Sequence, residues 1–292
     1  MKNMIKSELW KALHNTYFYI ALAAGFLIVA ANVIQNYLTV SDLLRRNLEA
    51  MQRWPDMFRG GSVGSSLFIW ALPYNRVSYA SRLFVTVWPI LAAMPYGWSY
   101  SAERGGGLYN QLVTRSDVRT YFASKYIAVF ISGGLAVALP VLADLLINAL
   151  FCPDHRMEAV MQLVGMYSGT FLSALYYTNP WAYSLIWCIV VFLAGGAVAG
   201  LCFVIGTKLR LQVLVILTPF AMLMLWDVIY NNVLYNYLWE HFPELNMDLS
   251  PLRMVCAVGT RYPELYMAAL ICGLIALGAG VGYWQVKRNE LV

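Results

Sequence analysis

The sequence predicts an all-α membrane protein with six transmembrane helices and an interfacial amphipathic helix at its N-terminus. Of its 292 residues, 60% are hydrophobic and only 12% are charged, whereas soluble domains carry roughly a quarter charged residues. Several apolar runs approach the ~20 residues that a helix needs to cross a membrane. The composition excludes a disordered chain, a nucleic-acid-binding module and an ordinary cytosolic enzyme.

The first thirteen residues have the pattern of a helix that lies in the headgroup plane of a membrane. Apolar side chains recur at helical spacing along one stripe, and Lys2, Lys6 and Lys11 lie opposite, with Trp10 at the border. Such a helix is anchored by burial of its apolar face and by attraction of its lysines to anionic lipid. The alternative interpretation is a frayed, positively charged N-terminus.

Six apolar segments cross the membrane in this interpretation, and residues 1–292 form a single transmembrane domain without an internal repeat. The second segment is the shortest and contains Pro89 and Pro95, so we expect it to be kinked. The first is too long for the apolar part of a signal peptide, which favours an uncleaved span. The spans are expected at about 16–38, 83–100, 126–150, 185–205, 211–230 and 264–286.

Basic residues predict the orientation of these spans. If both termini are cytoplasmic, every lysine of the chain lies on the cytoplasmic side, as the positive-inside rule requires. Several arginines in the first outer connection weaken this argument without reversing it. We therefore expect a multi-pass protein with both termini in the cytoplasm.

Two acidic residues lie inside apolar runs, Asp144 in the third span and Asp227 in the fifth. An ionised carboxylate at such a position is costly unless it is paired, hydrated or protonated. One interpretation is a substrate or ion contact that faces a central cavity. The other is a hydrogen-bonded acid near the outer interface, paired for example with Arg82. Both interpretations stay open at this level.

Cysteines and histidines indicate no catalytic or metal chemistry. Cys152 and Cys256 fall in the outer loops, where a disulfide is possible but nothing in the sequence demands one. The histidines are scattered, and no HExxH or paired CxxC motif occurs. We expect no catalytic residues and no metal site.

Glycines spaced four residues apart in the fourth and sixth spans allow helices to approach closely. The pairs are Gly196 with Gly200 and Gly278 with Gly282. Packing within the chain is the favoured interpretation, and a seam between two copies is the alternative.

The connection between the second and third spans is the most informative stretch. Glycines at 105–107 break the exit from the second span, and Ser116 and Asp117 can cap the helix that follows. Between them, Leu108 and Leu112 can line one face of a short helix. We expect a rigid polar elbow that presents a small docking surface to a soluble partner.

This arrangement resembles the ABC type-2 permease family, the membrane subunits of ATP-driven exporters. In that family an acidic residue follows the second span, and then come a glycine, a short apolar helix, a threonine turn and basic residues. The residues at those places are Glu103, Gly107, Leu112, Thr114, Arg119 and Lys125. The N-terminal helix and the number of spans match too, so the resemblance covers the whole chain. Arg115-Ser116 stands where the family usually has a proline.

The resemblance implies a permease subunit that exports an amphipathic, peptide or lipid-like substrate from a prokaryotic plasma membrane, antimicrobial peptides being one candidate. The chain has no G-x-x-x-x-G-K-[ST] loop, so ATP and Mg would bind a cytoplasmic ATP-binding cassette subunit. This chain would then need no cofactor and would not be an enzyme. Its other expected partners are a second permease, identical or homologous, and the lipid bilayer, but no nucleic acid. The residues implied in ATPase coupling are Glu103, Arg104, Leu108, Leu112, Thr114 and Arg119.

Two other classes of function compete with this interpretation. An integral membrane lipid-modifying enzyme would need a cluster of His, Asp and Glu or a nucleophile at one membrane face, and the sequence indicates none. A membrane sensor or structural subunit would use the elbow to dock a regulator in place of an ATPase.

Overall fold

The computed structural model describes residues 2–53, 71–72, 74–75, 78–107, 109, 111, 117–152, 170–242, 248–257 and 263–290. These residues are helical or lie in connections between helices, and none of them forms a strand. Five of the described helices are long and apolar enough to cross a membrane. The all-α prediction is confirmed, and the five helices support a multi-pass membrane protein.

The links that are described in full, between α1 and α2, α3 and α4, α6 and α7, and α7 and α8, are short. A π-helix at Tyr230–Leu234 joins α8 to α9, and a 3-10 helix at Pro251–Val255 precedes α10. The α-helices are α1 (Lys2–Leu13), α2 (Thr16–Arg53), α3 (Tyr79–Ala93), α4 (Ser99–Gly105), α5 (Val118–Asn148), α6 (Ser173–Thr178), α7 (Pro180–Gly206), α8 (Gln212–Ile229), α9 (Tyr235–His241) and α10 (Glu264–Glu290).

The second predicted span is divided between two helices. α3 is apolar but has only 15 residues, with Pro89 inside it, and the chain then turns at residues 94–98 before α4 begins. Pro95 lies in this turn, where its missing N–H and its ring disfavour a continued helix. The expected kink is therefore a break, and a sixth crossing by one continuous helix is not present among the described residues.

Two hydrogen bonds show which helix ends and links lie together at one end of the bundle. Near one end the Arg104 guanidinium donates to the Thr207 carbonyl oxygen at 2.8 Å, and Arg119 Nε donates to the Tyr283 hydroxyl at 3.0 Å. α4 and the starts of α5 and α8 lie here, together with α1 and the last turns of α10. We call this the terminal end, and the opposite end the distal end.

Glycines allow the central helices α5 and α7 to pack closely. A Cβ on Gly133 would lie 2.4 Å from Ala199 Cβ and 2.6 Å from the Ala92 carbonyl oxygen. A Cβ on Gly200 or on Gly278 would lie 2.7 Å from the Tyr126 hydroxyl. That hydroxyl donates to a carbonyl of α10, so these glycines pack within the chain, as the sequence favoured.

α1 forms as predicted and packs against α5. Its apolar stripe is buried or half-buried, and Ala12 is fully buried, while Trp10 on the other side is 62% exposed. Lys6 and Lys11 are exposed on that same outward side. The position of α1 in a headgroup plane stays a prediction, and the side chain of Lys2 lies outside the described part of the chain.

Candidate functional site

The terminal end contains a buried lysine held by two carboxylates. Lys125 lies two turns into α5, and its side chain is 0% exposed. Its Nζ forms ion pairs with Glu103 of α4 and, at 3.2 Å, with Glu8 of α1. The rings of Tyr96 and Tyr121 lie with their centroids 5.3 and 5.4 Å from the same nitrogen. A buried cation needs this compensation, because its desolvation costs several kcal/mol.

The two carboxylates have matching surroundings. Glu8 accepts a hydrogen bond from the Tyr96 hydroxyl at 2.9 Å, and Glu103 accepts one from the Tyr121 hydroxyl at 2.6 Å. Each carboxylate therefore has Lys125 and one tyrosine as partners, and we call these five residues the Lys125 cluster. The cluster joins α1, the 94–98 turn, α4 and α5.

The charge state of Glu8 follows from its neighbours. Burial raises the pKa of Glu8, but the positive charges of Lys125 and Lys11 outweigh burial and leave this pKa below its ordinary value. Lys11 Nζ lies 2.7 Å from Glu8 and is 46% exposed. Glu8 is therefore ionised at neutral pH, and the contact between α1 and α5 is an ion pair.

Three of the predicted coupling residues, Glu103, Arg104 and Arg119, lie at the two ends of the elbow. We call the described residues at these ends, 101–107 and 117–119, the root of the elbow. Glu103 is directed into the protein, since its side chain is only 13% exposed. Arg104 and Arg119 are exposed, although each donates to a neighbouring element. Leu108, Leu112 and Thr114 lie outside the described residues. The ATPase-coupling role of all six stays a prediction.

Further bonds tie the root of the elbow to α7, α8 and α10. The Ser101 hydroxyl donates to the carbonyl oxygens of Leu209 and Arg210, which lie in the link between α7 and α8. The Thr207 hydroxyl, at the end of α7, donates to the Gln285 side chain of α10. A displacement of the elbow therefore acts on several long helices at once.

The distal end holds Asp144 with neutral partners. Asp144 is fully buried. One of its carboxylate oxygens accepts from Asn32 Nδ2 at 2.9 Å, and the other accepts from the backbone N–H of Leu72 at 2.7 Å. One turn further on, Asn36 Nδ2 donates to Asn148 Oδ1 at 2.9 Å. These bonds fasten α2, α5 and the connection around residue 72 to one another.

Asp227 has an ionic partner. Arg253 Nε lies 3.2 Å from its carboxylate, and the hydroxyl of Ser250 and the amide of Asn231 donate to the same carboxylate at 2.5 and 2.9 Å. Arg253 also contacts Asp248 at 3.3 Å. The π-helix Tyr230–Leu234 begins three residues after Asp227 and brings Asn231 to this site.

The suggested pairing of an intramembrane acid with Arg82 is wrong. Asp144 bonds to Asn32 and Leu72, and Asp227 pairs with Arg253. The interpretation as a hydrogen-bonded acid describes both residues in this conformation. A role of either residue in a substrate or ion pathway stays a prediction.

Three tryptophans hold a buried segment at the distal end. The indole N–H groups of Trp88, Trp187 and Trp226 donate to carbonyl oxygens of residues 252, 255 and 249 at 2.8, 3.1 and 2.9 Å. The segment 248–257 is thereby packed against α3, α7 and α8. Cys152 and Cys256 are not joined by a disulfide, and burial, with the nearby Asp144, raises the pKa of Cys152 to about 11.

Sequence reasoning missed Glu8 and the asparagines, although both carry a recognisable signal. Glu8 interrupts the apolar stripe of α1 and is 2% exposed, so an acid on the buried face was visible in the helical spacing. Asn32 and Asn36 are spaced four residues apart, as are Asp144 and Asn148. Two spans with polar side chains at equal spacing are suited to hydrogen bonding across a helix pair.

Comparison of the chain with protein-family models and with curated proteins gave no match.

Proposed function

We propose that this chain is the membrane-spanning permease subunit of an ATP-driven exporter of the ABC type-2 kind. It would export an amphipathic, peptide or lipid-like substrate across a prokaryotic plasma membrane, with ATP and Mg bound by a separate cytoplasmic ATPase subunit. The terminal end would face the cytoplasm. α3, the 94–98 turn and α4 together would supply the sixth crossing.

The observation that carries this proposal is the attachment of the elbow root. Glu103 is bonded to α5 through Lys125, Arg104 to the end of α7 through Thr207, and Arg119 to α10 through Tyr283. A soluble subunit that moves the elbow would therefore move the ends of three long helices. A loop that bound a static regulator would need no such set of attachments.

The distal end supports the same mechanism from the other side. Segment 248–257 and the residues around Leu72 are buried between helices, so an outward-open state requires them to separate from α3, α5 and α7. Closure of the ATPase on ATP would supply the force at the elbow, and the helices would transmit it. A substrate path between these helices would be lined mainly by apolar and aromatic side chains, because 60% of the residues are hydrophobic and only 12% are charged, and such a lining suits an amphipathic molecule.

The proposal is tested by purifying the tagged chain from its own host in mild detergent and identifying what accompanies it by mass spectrometry. We expect a soluble protein with a Walker A loop in near-equal amount. Arg119→Glu should lower its recovery, because Arg119 is exposed beside the elbow. Arg45→Glu, which changes an exposed arginine in α2 towards the distal end, is the matched control and should leave recovery unchanged. Recovery of the chain alone, or with a partner that is not an ATPase, would overturn the proposal.

A further inference from the structure

We propose that Lys125 joins α1 to the root of the elbow, so that the two move as one coupling element with Glu8 and Lys125 as its positioning residues. This inference rests on the proposed function for its role in transport. The joint itself is a property of this chain alone. α1 would then be a working part of the coupling element in addition to any contact it makes with lipid.

The geometry that carries the inference is the duplicated surroundings of Lys125. α1 contributes Glu8 and the elbow root contributes Glu103, and each carboxylate bonds to the same Nζ and to one tyrosine hydroxyl. The Nζ atom is buried between these two attachments, and in the described residues no other carboxylate pairs with it. Among the described residues, the ionic link between α1 and Glu103 therefore passes through Lys125 alone, beside the Tyr96 hydroxyl that also bonds to Glu8.

Burial makes this link stiff. Removing one partner of a buried ion pair leaves an uncompensated charge, which is far more costly than breaking an exposed pair. If the elbow moved without α1, Lys125 would lose its ion pair with either Glu8 or Glu103. Lys125 is fully buried, so water could not replace the lost carboxylate. α1 and the elbow are therefore expected to shift together when a partner subunit acts on the elbow.

Glu8 has a second lysine partner that provides a matched control. Lys11 bonds to Glu8 but is 46% exposed, and exposed ion pairs contribute little to stability. If the buried joint holds α1, Glu8→Gln should release α1, while Lys11→Met should not. Glu8→Gln keeps the size of the side chain and an oxygen for the Tyr96 hydroxyl, which limits its effect on folding.

The first measurement is hydrogen–deuterium exchange of the chain in nanodiscs, followed on peptides from α1, α5 and α7. Glu8→Gln should speed exchange in α1 by about tenfold or more, the factor expected when a hydrogen bond to a charged group is lost. Peptides from α5 and α7 should keep the exchange of the unchanged protein, which shows that the fold is intact. Unchanged exchange in α1 would overturn the joint, whatever partner the chain has.

The second measurement uses the complex with the ATPase that the proposed function requires. Glu8→Gln should leave ATP hydrolysis within about twofold and lower transport at least about tenfold, and Lys11→Met should leave both unchanged. Normal transport by Glu8→Gln in a complex whose α1 exchanges rapidly would overturn the coupling role. If no ATPase accompanies the chain, the proposed function fails, while the exchange result still decides whether the joint exists.

Discussion

The two ends of the bundle surround their most deeply buried titratable side chains, Lys125 and Asp144, in opposite ways. At the terminal end, Lys125 is surrounded by carboxylates from α1 and α4, so charge is compensated by charge. At the distal end, Asp144 is equally buried but is bonded by the amide of Asn32 and the backbone of Leu72. The first arrangement depends strongly on each member, because every removal leaves an ion behind. In the second, replacing Asp144 leaves only neutral donors without their acceptor.

This difference also indicates how the two ends respond to force. An ion pair in a low-dielectric site resists separation over a longer distance than a neutral hydrogen bond does. The terminal end therefore suits the transmission of movement between elements. At the distal end, Asp144 is held by amide and backbone donors, and segment 248–257 is held by indole donors and by the partly exposed pair of Arg253 with Asp227. Under the proposed function, these weaker bonds suit segments that separate and pack again.

The largest expected effect is that of Lys125→Met, which removes the cation and leaves Glu8 and Glu103 buried. We expect a loss of about 3–5 kcal/mol in the free energy of unfolding, as for one partner taken from a buried ion pair. Denaturation in mixed micelles, followed by circular dichroism, measures it. The double variant Glu8→Gln with Lys125→Met should lose less than the sum of the single variants, and strict additivity would contradict the shared cluster.

A smaller effect is expected for Asp144→Asn. Both carboxylate oxygens accept hydrogen bonds, and an asparagine would turn its NH2 group towards one of the two donors, at a cost of about 1–3 kcal/mol in the free energy of unfolding. The same denaturation measures the change, with Asp227→Asn as a control acid that lies beside Arg253. A loss for Asp144→Asn as large as that for Lys125→Met would show that a cation compensates Asp144, contrary to the neutral partners described.

The docking of α1 should depend on pH in the direction set by Glu8. The charged groups that pair with Glu8 are Lys11 and Lys125, with Tyr96 as a neutral donor, and Lys125 also pairs with Glu103. Because its pKa lies below the ordinary value of 4.5, its contribution to docking is complete above that pH and is lost only as the pH falls through the lower, folded-state value. A nitroxide on Ser7→Cys, in a background with the exposed Cys272 changed to serine, reports the mobility of α1. Mobility that rises already well above pH 4.5 would contradict this assignment.

The smallest effect is expected for Lys11→Met, which removes the exposed partner of Glu8. Its loss should be within about 0.2–1 kcal/mol, the range of exposed ion pairs, and should shrink further in high salt. Denaturation with and without added salt checks both expectations. A loss of unfolding free energy close to that of Lys125→Met would mean that the exposed lysine and the buried one contribute equally to stability. That result would contradict the difference between exposed and buried ion pairs at this end.

The break between α3 and α4 shows how far a local signal reaches. Pro95 predicted a kink in the second span, and the structure has a turn at that position. Whether the helix bends or breaks there was not predictable, because the outcome depends on packing against α7. A Cβ on Gly97 would lie 2.6 Å from Cys202 Sγ, so close packing against α7 fits the turn into the bundle.

The two acids in apolar spans, Asp144 and Asp227, show a second limit of prediction from the sequence. Their cost in an apolar span was evident from the sequence, but their partners were not. Asp144 meets Asn32 across 112 residues of chain, and Asp227 meets Arg253 from a connection that precedes α10. Each partner is chosen by the way in which helices pack, and a single sequence carries no direct record of that packing.

The sequence by itself determined the all-α, multi-pass membrane character of the protein, the approximate positions of its five long apolar helices and the amphipathic character of α1. These are local properties, because apolar length and helical spacing follow from neighbouring residues in the chain. Only the tertiary structure decided that Glu8, Glu103 and Lys125 meet at one buried point. That meeting depends on how α1, α4 and α5 pack. Once Lys125 is buried, both carboxylates must stay beside it, because an uncompensated charge in a desolvated site is strongly destabilising.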